Sequence, residues 1–152
     1  MVENSEISRF NVRVYGVIFS DDKQSILVSD EFRFGRSFTK FPGGGLEFGE
    51  GVLDALKREF QEEMEIEVLN ASLFYINEKF QDSAFSKQEQ LLSIYYLVQD
   101  YIGQLPPISQ TRFDFQRVEE AQSFRWLEIS KMEEDEFTFP VDKAICSKVK
   151  LL

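Results

Sequence analysis

The stretch PGGGLEFGEGVLDALKREFQEEMEI, residues 42–66, decides how the rest of the chain is read. Its second half, Gly51 to Glu65, is made largely of good helix formers. Leu53, Leu56, Phe60 and Met64 fall at i, i+3, i+7 and i+11, which predicts one apolar stripe down a helix. Its first half cannot share that structure, because Pro42 and the three glycines after it forbid a regular element and let backbone come close to a ligand. On the polar side of the helix, Glu59, Glu62 and Glu63 stand at i, i+3 and i+4, so three carboxylates share one face within a single turn. Like charges this close repel. The cost is about a few tenths of a kcal/mol per pair in water and more when partly buried, unless a cation neutralises them. At about 100° per residue the three lie beside the apolar stripe, at the edge of the core. A hard divalent ion such as Mg²⁺ fits there, since it takes oxygen ligands and keeps waters for a substrate phosphate. On spacing alone the same residues read equally well as a solvated helix face. The glycine loop directly before them, with two more carboxylates at Glu47 and Glu50, shifts the balance toward a site.

Working outward, Phe10 to Ser20 is rich in Val, Ile and aromatic residues and ends at Asp21-Asp22, so it reads as a strand with Gln24 to Asp30 as its hairpin partner. Glu31 to Lys40, with Gly35 and three basic residues, reads as a loop or irregular edge. After the helix, strands are predicted at Ile66 to Phe80 and Leu91 to Val98, separated by the polar segment Gln81 to Gln90. Tyr101 to Phe113 carries Pro106-Pro107 and reads as a loop, Ser123 to Ile129 alternates like a strand, and Asp142 to Leu152 reads as a terminal helix introduced by Pro140. Strands with two segregated helices predict an α/β fold, a sandwich on a mixed β-sheet.

A chain of 152 residues with 43% apolar content can bury one substantial core, so a single domain over 1–152 is expected. The formal charge of −10 repels the phosphate backbone of DNA and RNA, which argues against a polymeric nucleic-acid partner. Cys146 is the only thiol, so no intramolecular disulfide forms. The opening residues lack the basic and apolar regions of a signal peptide, and no apolar run approaches the roughly 20 residues of a membrane span. A cytoplasmic protein without membrane attachment is the expectation. Histidine is absent. That excludes Ser-His-Asp and Cys-His catalysis and the commonest zinc ligand, so any metal must be held by oxygen.

The run Gly44 to Ile66 resembles the Nudix box, G-x5-E-x7-R-E-U-x-E-E-x-G-U with U an apolar residue. Gly44, Glu50, Arg58, Glu59, Phe60, Glu62, Glu63 and Ile66 fall on their positions. The lead-in Phe41-Pro42-Gly43 and the later EAQSFRW, Glu120 to Trp126, resemble the family too. One position departs: Glu65 stands where the family has a glycine, which would close the helix with a left-handed residue. A glutamate in that conformation costs about 1 kcal/mol, so the helix end is expected to be shaped differently.

The resemblance implies a Nudix-like α/β/α sandwich around a mixed sheet. It also implies a hydrolase in which water attacks a pyrophosphate linkage of a nucleoside diphosphate joined to another moiety. Glu59, Glu62 and Glu63 would hold Mg²⁺, with Mn²⁺ as a substitute, and the Gly44 carbonyl would be a further ligand. Arg58 would orient a box glutamate through a salt bridge. Glu50 opens the helix, where the macrodipole favours a carboxylate with or without a functional role, and Glu47 would reach the site with less support. Without histidine the general base must be a carboxylate: a box glutamate, or a loop residue such as Glu120 or Glu89. Arg33, Arg36 and Lys40 precede the glycine loop and read equally as phosphate contacts or as solvated edge charges. Phe32, Phe34, Phe48, Phe80 and Phe85 lie near loops, where a ring stacks on a base or, more commonly, fills the core.

Two other classes share this reading. A non-catalytic module that senses a nucleotide would be expected to lack box carboxylates, which are all present here, and an isomerase on the same fold would need Cys and His in the site. Nucleoside triphosphates, nucleotide sugars, ADP-ribose and dinucleoside polyphosphates all remain open as substrates, because choice resides in loops outside the box. Self-association into a homodimer is left open as well.

Overall fold

The helix α1 forms over Val52–Met64, where the box predicts it. Its entry is fixed by Gly51, whose N–H donates to the Asp54 carboxylate at 3.0 Å, one of the orphan donors of the first turn. The buried face consists of Ala55, Leu56, Phe60 and Met64. Leu53, predicted as part of the stripe, is 37% exposed, and Ala55 takes its place because the face turned to the sheet is wider than one i, i+3 row. The helix comes down close on the strand below it: a Cβ on Gly16 would lie 2.5 Å from the Phe60 ring, so glycine there sets the packing distance.

The computed structural model describes residues 6–152, so the first five residues of the N-terminal reading lie outside it. The strands are β1 (Arg9–Ile18), β2 (Ser25–Arg33), β3 (Arg36–Lys40), β4 (Gly43–Gly45), β5 (Glu67–Ile76), β6 (Glu89–Ile102) and β7 (Ala121–Glu128), and a second helix, α2, spans Pro140–Lys150. One sheet has the order β4-β1-β6-β5 and is mixed, with β1 and β6 parallel and the outer pairs antiparallel. The other, β3-β2-β7, is antiparallel throughout. Period-two alternation along β1 sends Val14 and Ile18 toward the cluster under α1, with Leu27, Ile94 and Val98. Tyr15 and Val17 go to the opposite cluster, with Tyr95, Phe137, Ile145 and Val149 under α2. Helices therefore cover both faces, as the α/β/α expectation requires. Among the described residues no helix is long and apolar enough to cross a membrane.

Four local expectations are corrected. Gln24 to Asp30 is not the hairpin partner of β1: the two strands join different sheets and meet only in the bridge Phe19–Ile26. Glu31 to Lys40 is not a loop. Phe34 and Gly35, at φ 53° and 73°, form a two-residue reversal that pairs Arg33 with Arg36, and both central residues on the left-handed side match the twist of a tight hairpin. The glycines at 43–45 do form a short strand, paired with Tyr15, Val14 and Arg13, since a glycine run lacks side chains but not backbone donors and acceptors. The end of α1 keeps the shape that glycine would give: Glu65 sits at φ 56°, ψ 35° and its N–H bonds the Gln61 carbonyl.

That last geometry fixes a sign. Glu65→Gly should stabilise the protein by a few tenths to about 1 kcal/mol, because glycine takes the left-handed conformation without a Cβ penalty. Urea melts of the two proteins measure it, and a destabilised variant would show that the helix propensity of Glu65 outweighs its strain.

Candidate active site

Between the two sheets' edges, the tip of the β2–β3 hairpin, the 81–86 segment and the start of α2 lies a cleft of about 730 Å³. Its lining includes Asn11, Arg13 and Tyr15 from β1, Leu91, Ser93 and Tyr95 from β6, Gly43 to Gly45 from β4, and Glu59 and Glu63 from α1. β1 and β6 run parallel in register, Asn11 with Leu91, Arg13 with Ser93 and Tyr15 with Tyr95, so these side chains form a two-row floor.

The box residues assemble around Arg58. Its guanidinium donates to both Glu50 oxygens at 2.7 and 3.0 Å, to Glu59 at 3.0 Å, to Glu62 at 3.3 Å and to the Gly45 carbonyl at 2.8 Å. Hydrogen bonds from Arg58, and then from the Glu47 N–H, hold the Glu50 carboxyl below the usual range, and its partners keep Arg58 firmly charged. The salt bridge anticipated from the resemblance is thus present. Glu50 binds Arg58 as well as accepting from the Glu47 N–H, which the spacing of residues eight apart on a loop and a helix does not reveal.

Gly44 is what lets Glu59 reach the cleft. A Cβ there would fall 2.4 Å from the Glu59 carboxyl, so only a bare Cα leaves room. Glu63 lies at the floor with Oε2 buried and, among the described residues, without a hydrogen-bond partner. Burial pushes its carboxyl up to about 7, against the pull of nearby Lys40, with Glu31 and Glu59 adding to the rise. Glu62 stays outside the lining, 59% exposed and turned to Arg58. Among the described residues no three acidic side chains converge as a ready metal cluster, because Arg58 draws Glu59 and Glu62 to itself.

The basic triad divides. Arg33 lines the cleft, half-exposed and 3.7 Å from Glu31. Lys40 also lines it, but its ammonium already donates to Glu31 at 3.0 Å and to the carbonyls of Phe41 and Gly43 at 3.2 and 3.1 Å, so its three donors are spent within the protein. Burial lowers the Lys40 pKa, and the charge of Glu31 more than restores it. Glu31, a buried partner that the sequence reading did not single out, would be raised by burial but ends below the ordinary carboxylate range through Lys40 and Ser29. Arg36 is not in the lining. It donates to the Ala84 carbonyl at 3.1 Å and lies 5.2 Å over the Phe85 ring, tying the hairpin to the 81–86 segment.

Of the other candidates, Glu47 is 68% exposed and touches only the rim of the Arg58 cluster at 3.7 Å. Glu120 sits in the turn into β7 at φ 70°, its N–H bonded to the Phe32 carbonyl, and does not line the cleft. Glu89 does, with Arg9 at 3.3 Å. Of the aromatics, Phe34 and Phe85 meet at 5.3 Å across the mouth, joined by Phe38 and Phe139, whereas Phe48 is fully exposed.

At the α2 end, Asp142 is buried and accepts from the Tyr95 hydroxyl. Burial raises its carboxyl to about 7 despite that bond. Between roughly pH 4, where a carboxyl titrates in the unfolded chain, and pH 7, the folded state keeps a proton that the unfolded state has lost. Asp142 therefore makes stability fall as pH rises through this window. Asp142→Asn should gain on wild type by on the order of 2 kcal/mol between pH 5 and pH 8 in paired urea melts. A difference independent of pH would show that Asp142 is charged throughout.

Comparisons with known proteins agree with this geometry. A 66-residue match, 42% identical, links the chain to the 8-oxo-dGTP diphosphatase of Haemophilus influenzae, covering 43% of this chain and 44% of that protein. A 61-residue match, 39% identical, links it to an RNA pyrophosphohydrolase of Ruthia magnifica subsp. Calyptogena magnifica, over 40% of this chain and 31% of that one. The chain thus spans less than half the length of these curated relatives. Among solved structures it superposes on a MutT from a study of Aliivibrio salmonicida and Vibrio cholerae with a TM-score of 0.69, 26% identity and coverage of 94% of this chain and 98% of that one. The MutT NUDIX hydrolase of Burkholderia pseudomallei, at TM-score 0.67 and 20% identity over 93% and 98%, shares the fold. The model of the NUDIX domain matches residues 9–146, from the first residue of β1 into α2, and the chain belongs to the NUDIX domain family.

Proposed function

We propose that the chain acts as one catalytic domain that hydrolyses a phosphoanhydride in a small nucleoside diphosphate derivative, of the nucleotide sugar, ADP-ribose or nucleoside triphosphate type, with a divalent cation as cofactor. The observation that carries this reading is the pair of cleft glutamates: Glu59 seated against the bare Cα of Gly44, and Glu63 buried with an oxygen that no protein group satisfies. An orphaned buried carboxylate oxygen is costly unless something binds it. The donors within reach are all oxygen, which suits Mg²⁺ or Mn²⁺. Glu59 and Glu63 would hold the ion, with Glu62 joining them when it turns from Arg58. A bound cation of this kind neutralises phosphate charge and acidifies a bound water.

The chain's own residues supply the rest. Arg58 fixes Glu59 from behind, Glu50 fixes Arg58, and a cleft carboxylate takes the proton of the attacking water. Glu89 lines the cleft and suits that role better than Glu120, which would need the turn before β7 to move. The acidic surface, at −10 overall, favours a small substrate over a nucleic-acid polymer.

The test is a screen of purified protein with Mg²⁺ against nucleoside triphosphates including 8-oxo-dGTP, nucleotide sugars, ADP-ribose and dinucleoside polyphosphates, with products separated by chromatography. Two phosphate-bearing products from one member of the panel support the reading. Tight binding of a nucleotide with no turnover of any would overturn it in favour of a sensing module.

A further inference from the structure

Three cations line the cleft: Arg13, Arg33 and Lys40. Lys40 has spent its donors, and Arg33 is half in solvent beside Glu31. Arg13 differs from both. It stands on β1 between Gly45 of β4 and Ser93 of β6, in the row of side chains that forms the cleft floor. Its Nε donates to the Tyr15 hydroxyl at 3.2 Å, and its guanidinium lies 5.9 Å from the centre of the same ring. That hydrogen bond fixes the fork, and among the described residues both terminal nitrogens have no protein acceptor.

Two features aim those free donors at the carboxylate end of the cleft. Nη1 lies 3.3 Å from where a Gly45 Cβ would stand, so the fork runs alongside the glycine strand, one residue from the Gly44 that seats Glu59. Tyr15 first, and then Glu59 and Glu31, favour its charge, and among the described residues neither glutamate hydrogen-bonds it. A half-buried cation with two unfilled donors, lining the same cleft as Glu59 and Glu63, is a grip for an oxyanion.

We propose that Arg13 is a substrate-positioning residue that holds non-bridging oxygens of the diphosphate group through its two terminal nitrogens, beside Glu59 and Glu63. This rests on the hydrolase reading above, because it assumes that a diphosphate enters at those glutamates. Lysine cannot replace it fully, since a compact ammonium lacks the planar fork that contacts two oxygens at once.

The experiment uses imidodiphosphate, a diphosphate whose bridging N–H resists hydrolysis, titrated with Mg²⁺ into the full chain by calorimetry. Wild type should bind it in a Mg²⁺-dependent way. Arg13→Gln should weaken that binding at least tenfold, and Arg13→Lys should recover part of the loss while remaining at least threefold weaker than wild type. Binding of Mg²⁺ alone should stay within twofold in both variants, because Arg13 is not a ligand. Far-UV circular dichroism checks folding, and if Arg13→Gln does not fold, the lysine variant decides. Unchanged imidodiphosphate affinity in the folded variants overturns the role of Arg13 and leaves the hydrolase reading standing. Failure of wild type to bind imidodiphosphate with Mg²⁺ also overturns the role of Arg13, whereas the hydrolase reading falls only when no member of the substrate panel is turned over.

Discussion

Glu63→Gln is expected to lower turnover by two orders of magnitude or more, about 2.7 kcal/mol in barrier, with the fold intact. Glutamine keeps the volume of the side chain, and the site tolerates a neutral group well, since burial already holds the Glu63 carboxyl near 7. What the substitution removes is the negative charge that a divalent cation would draw on at the floor of the cleft. A thermal melt should show the variant at least as stable as wild type, because Oε2 has no hydrogen bond to lose. Turnover equal to wild type on the best substrate of the panel would take Glu63 out of the site, whatever the fate of Glu59.

Removal of divalent ions should abolish hydrolysis, and added Mg²⁺ or Mn²⁺ should restore it. The reason is a charge balance. A diphosphate brings negative charge into a cleft already lined by Glu31, Glu59, Glu63 and Glu89, and the lining cations are Arg13, Arg33 and Lys40, one of them fully engaged within the protein. Without an added ion the approach of the substrate is repelled. Zinc chemistry has no support here, since the chain lacks histidine and Cys146 is buried on the inner face of α2 in the opposite core. The measurement is a rate in excess chelator and after re-addition of each ion, and a rate indifferent to the chelator would contradict the proposed mechanism.

The helix and most of its buried face were legible because they depend on spacing along one element. Arg58 meets the box glutamate Glu59 as the resemblance implied, whereas its bond to Glu50 and the left-handed Glu65, which keeps the shape glycine would give, went against the reading of the sequence. Strand partnership was not legible. β1 and β2 look like a hairpin because they are adjacent in sequence, whereas β1 pairs with β4 and β6 and leaves β2 to the other sheet. Nor does a one-dimensional pattern show where a long side chain spends its donors. Arg36 and Lys40 read equally as phosphate contacts or as solvated edge charges, whereas one ties two loops together and the other fills a buried ion pair with Glu31. Arg13 had no signal, being one of two arginines in an otherwise largely apolar strand whose partners lie on β4 and β6.

The parallel pairing of β1 with β6 also bears on how the chain is made. Each residue of β1 pairs with one 80 positions later, from Arg9 with Glu89 to Ile18 with Val98. At roughly 5–20 residues per second, synthesis supplies that partner about 4–16 s after β1 itself. β4 arrives much sooner and can cover one edge of β1, but the other edge waits with its backbone groups unpaired. During that interval Arg9 and Arg13, charges set in an otherwise apolar strand, oppose pairing between nascent chains. The floor of the cleft is then completed only when β6 docks, so an N-terminal half of this chain expressed alone would hold every residue of the box and still lack the row opposite Arg13 that closes the site.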